Sequence, residues 1–405
     1  MAPRCEIFSQ GEEIITGQTV DSNAAWLSQK LIAAGFELTR HTAVGDHLNA
    51  LTKLLVEISE RADCCICTGG LGPTGDDLTT EAVSKAFDAP LEFDERAMEQ
   101  VESIFKLWNR PMPKVNRKQA YFPKGAVRLD NRWGTAPGFA IAHNGCQFYF
   151  LPGVPSEMKK MFQASIFPDL QERFSLAPLK RLSFRTFGLG ESAIQERIEA
   201  IHFPEEITIS FRAGLPEVEL KLWFPAGFDQ QEIEAVSRQV SKALGSQLVS
   251  VEDGFGGPKG IVQVIDELLT ESGQNIALLE TVSSGLLASW CVGRPWLQES
   301  SIAPNEALLG RDFGLSGVGG AEEAVLLAKA VRERSGADYG LVQIWNFDQE
   351  ILTEKRSSME LISALSTDEG EFHHITQVGG SLDRKQNIAA ASLLNLLRFY
   401  LQKLF

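Results

Sequence analysis

Three glycines and a proline at positions 69–73, followed within four residues by Thr74, Asp76 and Asp77, form the segment GGLGPTGDD. It sets bare main-chain amides beside paired carboxylates. Glycines at 69, 70 and 72 let the backbone approach a ligand closely, and amides opening a helix favour a phosphate. Asp76 and Asp77 would repel that phosphate unless a divalent cation lay between. The same residues also suit a glycine-rich turn with an acidic helix cap.

The flanking pattern places this segment at the end of a strand. Residues 4–9 (RCEIFS) read as a short apolar strand, and Trp26, Leu27, Leu31 and Ile32 recur at helical spacing behind a capping Asp21 or Ser22. Residues 38–44 read as a second strand, 48–62 as a helix and 63–68 as a third strand. Thr79, Thr80 and Glu81 then start another helix. Alternating strands and helices imply a mostly parallel sheet covered by helices, with ligands at the carboxyl ends of its strands. SQGEEIITGQTVDSN (9–23), VGDH (44–47) and the glycine segment all follow predicted strands. NRKQAYFP (116–123), GTAPGF (134–139, after Arg132) and FLPGVPSEM (150–158) offer further turns of the same kind.

At 405 residues the chain suggests two or three domains, at about 150 residues each. A net charge of −15 disfavours nucleic acid and anionic membrane as partners, so an anionic substrate needs local neutralisation. No run of 18 apolar residues and no long apolar stretch near the first residues occurs, from which a cytoplasmic protein is expected. Of the six cysteines, Cys64, Cys65 and Cys67 share a predicted strand. Alternation is expected to point Cys65 away from Cys64 and Cys67, giving buried reduced thiols rather than disulfides. Without a second Cys/His pair nearby, a zinc site is not expected.

Together, GGLGPTxDDLT, N-x-KQA-x-x-P, GTAPGF and LPGVPSEM, in this order over residues 4–170, resemble the N-terminal domain of the CinA (competence/damage-inducible protein A) family. That domain is related to molybdopterin-binding domains of the MoaB/MogA kind. The chain departs at Gln10 and Glu12, where the family usually has Thr and Asp. The resemblance implies a three-layer α/β domain that hydrolyses the pyrophosphate of ADP-ribose to AMP and ribose 5-phosphate, with a divalent metal and potassium. Carried onto this sequence, Gly69, Gly70, Gly72, Thr74, Asn116, Gly134, Thr135 and Gly153 are expected to hold the phosphates or nucleotide. Asp76 and Asp77 are expected to hold the metal, and Asp21, Asp46 and Lys118 to take catalytic roles. For Asp21 a helix cap is the competing role.

Residues 171–254 read as a small α+β domain resembling the family's middle, KH-like domain. GLGE (188–191) lacks the second glycine of an RNA clamp, so a spacer or dimerisation role and a homodimer are expected. Residues 255–405 resemble the family's α/β deamidase domain, which carries E-S-C-T-G-G, Y-S-N-E-x-K and a glycine-rich loop. Here ETVSSG (280–285) puts Thr281 at the nucleophile's position. APNEAL (303–308) puts Ala303 and Leu308 where tyrosine and lysine belong, and VQIWNFDQE (342–350) has no glycine. Neither alanine nor leucine can take a proton from a hydroxyl. The expected function is therefore metal-dependent hydrolysis of ADP-ribose or a related nucleotide by the first domain, with a degenerate deamidase domain. The alternatives are a non-catalytic pterin or nucleotide binder, and a nicotinamide-nucleotide amidohydrolase with residual activity.

Overall fold

A computed structural model describes residues 2–255, 257–313 and 320–404. They divide into two compact units, 1–180 with 225–227, and 181–224 with 228–405.

The first unit opens as the alternation predicts. β1 (Arg4–Gln10) leads through α1 (Glu12–Ile15) to α2 (Ser22–Ala34), then β2 (Glu37–Val44), α3 (Leu48–Ser59), β3 (Cys64–Thr68) and α4 (Thr79–Ala86). β4 (Leu91–Phe93), α5 (Glu95–Leu107), a 3-10 stretch over Lys114–Ala120, β5 (Tyr121–Pro123) and β6 (Val127–Leu129) follow. β7 (Gly138–His143) and β8 (Cys146–Leu151) form a hairpin, and α6 (Pro155–Met161) runs on to α7 (Phe167–Arg173). The main sheet has the order β2-β1-β3-β8-β7-β6. Its first four strands are parallel, β7 runs antiparallel to β8, and β6 antiparallel to β7.

Two apolar layers cover this sheet. Phe8, Leu55, Ile58, Val83, Val101, Phe139 and Phe150 pack on one side, and Ile7, Leu27, Leu31, Ile66, Met158 and Phe162 on the other. The three strand cysteines divide between them. Cys65 and Cys67 lie in the first layer with their sulfurs 3.6 Å apart, and Cys64 in the second. The expected separation of Cys65 from Cys67 is thus corrected, because side chains two apart on a strand share a face. All six cysteines are buried free thiols.

The second unit holds two sheets. β9 (Lys180–Phe187), α8 (Glu191–Ile198), β10 (Thr208–Arg212), β11 (Glu217–Phe224), α9 (Gln230–Leu244) and β12 (Leu248–Asp253) build a four-stranded sheet of order β10-β11-β9-β12. The remaining elements are α10 (Ile261–Ser272), β13 (Ile276–Glu280), α11 (Leu286–Trp290), β14 (Leu297–Ile302), α12 (Glu306–Phe313) and α13 (Ala321–Ser335). β15 (Tyr339–Ile344), α14 (Gln349–Thr353), β16 (Ser358–Ser366), β17 (Glu371–Gly379) and α15 (Leu382–Leu401) complete it. They form a five-stranded sheet of order β14-β13-β15-β16-β17.

Buried polar contacts tie the two sheets into one unit. Glu217 on β11 accepts from the Ile261 amide that opens α10, at 2.9 Å. Arg398, 1% exposed on α15, donates to the Leu248 and Ser246 carbonyls at 2.8 and 2.5 Å. Among the described residues no helix is long and apolar enough to cross a membrane.

Candidate functional site

The carboxyl ends of β1, β2, β3 and β8 open onto a cleft of about 440 Å³. Asp21, Asp46, Gly69, Gly70, Gly72, Asp76, Asp77, Thr135 and Gly153, expected from sequence to act together, all line it. So do Glu13 and Glu157, giving six carboxylates, and no Lys, Arg or His is among the lining residues.

The glycine segment needs its glycines for two reasons. Gly69 and Gly70 have φ of +95° and +67°, a region that side chains disfavour. A Cβ on Gly69 would also lie 2.3 Å from the Gln10 carbonyl oxygen, and one on Gly70 2.1 Å from Gln10 Oε1. Gln10 is the hub that makes the approach so close. Its side-chain amide donates to Asp46 Oδ1 at 2.8 Å and to the Asp76 carbonyl at 3.1 Å, and its Oε1 accepts from Thr79 Oγ1. Gln10 is 4% exposed, so this one side chain fastens the turns after β1, β2 and β3 together.

Asp77 closes the glycine segment on itself. Its Oδ1 accepts from the Gly72 amide at 2.8 Å, and its Oδ2 from the Thr74 amide and hydroxyl at 2.8 and 2.5 Å. Thr74 is therefore a clamp rather than a residue of the cleft lining. Asp76 stays exposed, and hydrogen bonds from Thr74 and its own amide hold its carboxyl below the usual range. Asp46 is held at both oxygens, Oδ2 by the Glu12 amide at 3.2 Å. No group of three or more His, Cys, Asp or Glu converges into a metal cage among the described residues.

Asp21 does cap α2, accepting from the Ala24 amide at 2.9 Å, and its other oxygen meets His41 Nε2 at 3.0 Å. Burial opposes the charge, but hydrogen bonds from His41, Ala24 and Ser9 outweigh it and hold the carboxyl down at about 2. Asp21 is thus a helix cap that also lines the cleft.

Besides Thr74, three expected residues lie outside the cleft lining. Lys118 donates to the Thr74 and Asp77 carbonyls at 3.2 and 2.6 Å and pairs with Glu81 at 3.1 Å. It lines not the cleft but two cavities beside it, one of about 10 Å³ that shares Gly70, Gly72 and Asp77 with the cleft and one of about 300 Å³ with Thr80, Glu81, Leu91 and Tyr121. Buried Asn116 donates to Gln119 Oε1 at 2.9 Å, and Gln119 is the member of that pair that lines the cleft. Gly134 makes room for Glu157, whose Oε2 would sit 2.0 Å from a Cβ there. Asn131 donates to that same oxygen at 2.7 Å. Gln10, Gln119, Asn131 and Glu157 were missed, although Gln119 and Glu157 stood in plain view inside NRKQA and PSEM.

The family model described as "Probable molybdopterin binding domain" matches residues 6–172. A CinA-like protein of Shewanella sediminis is 33% identical over 394 residues, 93% of this chain and 91% of its own. A CinA-like protein of Shigella flexneri is 35% identical over 406 residues, 98% of this chain and 94% of its own. The chain belongs to the CinA-like proteins. A crystal structure of CinA from Thermoplasma acidophilum, 32% identical, covers 41% of this chain and 98% of that one at a TM-score of 0.39. MoaB from Thermus thermophilus, 19% identical, covers 42% and 92% at 0.30.

In this CinA-like chain the expected deamidase positions are packed. Thr281, 2% exposed, donates its hydroxyl to the Gln343 carbonyl at 2.8 Å. Ala303 is buried in the core between β13 and α13, and Leu308 packs against it. Glu280 is buried and accepts from the amides of Gly285, Leu287 and Ala288 at 3.2, 3.0 and 2.8 Å, which fixes the ETVSSG turn. The Ser283 hydroxyl meets Gln343 Oε1 at 3.4 Å and is equally enclosed.

Proposed function

We propose that the first unit hydrolyses the pyrophosphate bond of ADP-ribose or a related nucleotide diphosphate, with a divalent cation taken up together with the substrate. The observation that carries this reading is the cleft itself, in which glycine turns are ringed by six carboxylates and no basic side chain. A diphosphate is repelled by such a wall unless cations accompany it. The donor set suits a magnesium-type ion, which is commonly held by one or two carboxylates and by substrate phosphates rather than by an all-protein cage. Asp76, exposed and ionised, and a remaining lone pair of Asp46 would be the protein ligands. Such an ion neutralises phosphate charge and lowers the pKa of a bound water.

The chain's own residues then have separate tasks. Gly69, Gly70 and Gly72 let the loop backbone come close to the phosphates; the Gly69 amide is held by the Leu151 carbonyl at 3.0 Å and the Gly72 amide by Asp77, which with Thr74 keeps that loop in shape. Gln10 keeps Asp46 in register with the loop. Asp21, ionised at all ordinary pH values, orients water or a ribose hydroxyl by accepting its hydrogen bond. In the second unit, the Thr281 hydroxyl is committed to a carbonyl and no base is supplied by Ala303 or Leu308, which supports a retained fold without acyl transfer.

The test is to incubate the purified chain with a panel of nucleotide diphosphates and with nicotinamide mononucleotide, with and without divalent metals and with potassium exchanged for sodium. AMP and ribose 5-phosphate from ADP-ribose, only with metal, are expected. The match to a molybdopterin-binding domain model favours a second reading, a pterin or nucleotide holder without turnover. Saturable binding with no product in any condition would select it.

A further inference from the structure

The rim of the cleft has a chemistry unlike its floor. Val20, at 86% exposure the most exposed large apolar side chain among the described residues, lines the cleft, as does Val154 at 50%. They come from different turns, one after α1 and one after β8, which Asn23 joins by donating its side-chain amide to the Gly153 carbonyl at 2.7 Å. Ile14, half-buried, joins the same lining.

Neither valine stands on loose backbone. The Val20 carbonyl accepts from the Ser22 amide at 2.8 Å, and the Thr19 amide just before it donates to the Glu13 carbonyl at 3.0 Å. Val154 precedes α6, its carbonyl accepting from the Glu157 and Met158 amides at 3.1 and 3.0 Å. A β-branched side chain is also stiff at χ1. The rim is thus a fixed apolar surface left in water, and covering it costs little ordering.

Resting on the reading of the cleft as a diphosphate site, we infer that Val20 and Val154 form an apolar subsite for the flat heterocycle at one end of the ligand. The glycine turns take its diphosphate. A purine and a pterin share the needed chemistry: a planar ring whose faces are apolar and whose polar edges remain hydrated. A ribose phosphate or a free phosphate offers no such planar ring. Val20 and Val154 are therefore specificity-determining residues, acting on the ring and not on the bond that breaks.

The experiment measures binding and turnover on the same preparations of the full chain. Wild type, Val20→Ser, Val154→Ser and the double variant are titrated in excess magnesium with AMP, with a pterin monophosphate and with ribose 5-phosphate. Both side chains are exposed, so the variants are expected to melt as wild type does. The double variant is expected to bind one of the ring-bearing ligands about tenfold more weakly while ribose 5-phosphate changes by less than about twofold. Loss confined to AMP names a nucleobase as the natural occupant, and loss confined to the pterin names a pterin. Unchanged affinity for both, binding of neither by wild type, or a parallel loss of ribose 5-phosphate overturns the subsite. Valine-dependent AMP binding without ADP-ribose turnover would remove the hydrolase reading and leave the subsite standing. Turnover with valine-independent binding would do the reverse.

Discussion

Replacing Asp77 with alanine separates a loop-closing carboxylate from a metal-binding one. The substitution removes three hydrogen bonds, from the Gly72 amide and from the Thr74 amide and hydroxyl. Hydrogen bonds to a charged acceptor are each worth about 1.5–3 kcal/mol net. Thr74 is exposed, so its two bonds compete with water and count at or below the lower end, and the three are not additive. A cost of about 2–3 kcal/mol to the closed loop follows, a shift of roughly 30-fold to 150-fold toward open forms. Hydrogen exchange reads this directly, because the two amides concerned belong to Gly72 and Thr74. In Asp77→Ala they should exchange faster by about that factor without any metal present, with β1 and β3 still protected, and turnover should fall with them. Asp76→Asn should leave both amides protected and still lose metal-dependent turnover. Unchanged exchange at 72 and 74 in Asp77→Ala would refute the reasoning and return Asp77 to the metal.

Gln10→Leu removes the donor to Asp46 Oδ1 and the Asp76 carbonyl, while the Thr79 hydroxyl keeps the Gly69 carbonyl at 3.0 Å, so chemical denaturation should show a loss of about 1–2 kcal/mol, and an unchanged midpoint would deny Gln10 its role as hub. The Asp21 carboxyl, lowered to about 2 from an unfolded value of 3.8, contributes stability that is complete above the unfolded value and disappears as pH falls through about 2. Its carboxylate resonance should therefore titrate near 2 and move upward in His41→Phe; titration of the native protein near 4 would contradict the assigned contacts. All six thiols should resist a polar thiol reagent in the native protein and react on denaturation, since each is buried. Ammonia release from nicotinamide mononucleotide should be absent in wild type and in Thr281→Ala alike, and enzymatic release abolished by that substitution would show the hydroxyl to be free.

The alternation from β1 to α4 was legible because β1 and β3 are short and apolar and a helix of regular apolar spacing follows each of the first two strands, even though β2, ELTRHTAV, is largely polar. The turn back into β7 and β6 was not, since the hairpin from Phe139 to Phe150 places strands by pairing rather than by any periodic signal. Nor could the sequence reveal that Glu217 and Arg398 join two α/β segments into one unit, because their partners are main-chain atoms 44 and up to 152 positions away. At the site, the glycines were legible as a loop of close approach. The division of labour between adjacent Asp76 and Asp77 was not: one faces solvent and the other faces the amides of 72 and 74, a difference of side-chain direction that residue type does not encode. Gln10, noticed only as a departure from the family's threonine, is where the three turns meet.

The most direct measurement is the product analysis of ADP-ribose incubated with the wild-type chain and with Asp76→Asn, each in magnesium and in excess chelator. Cleavage to AMP and ribose 5-phosphate by wild type in magnesium alone, with Asp76→Asn folded but at least about 100-fold slower, is the predicted result. Equal turnover with and without the metal, or no product from ADP-ribose or any other nucleotide diphosphate, would contradict the account.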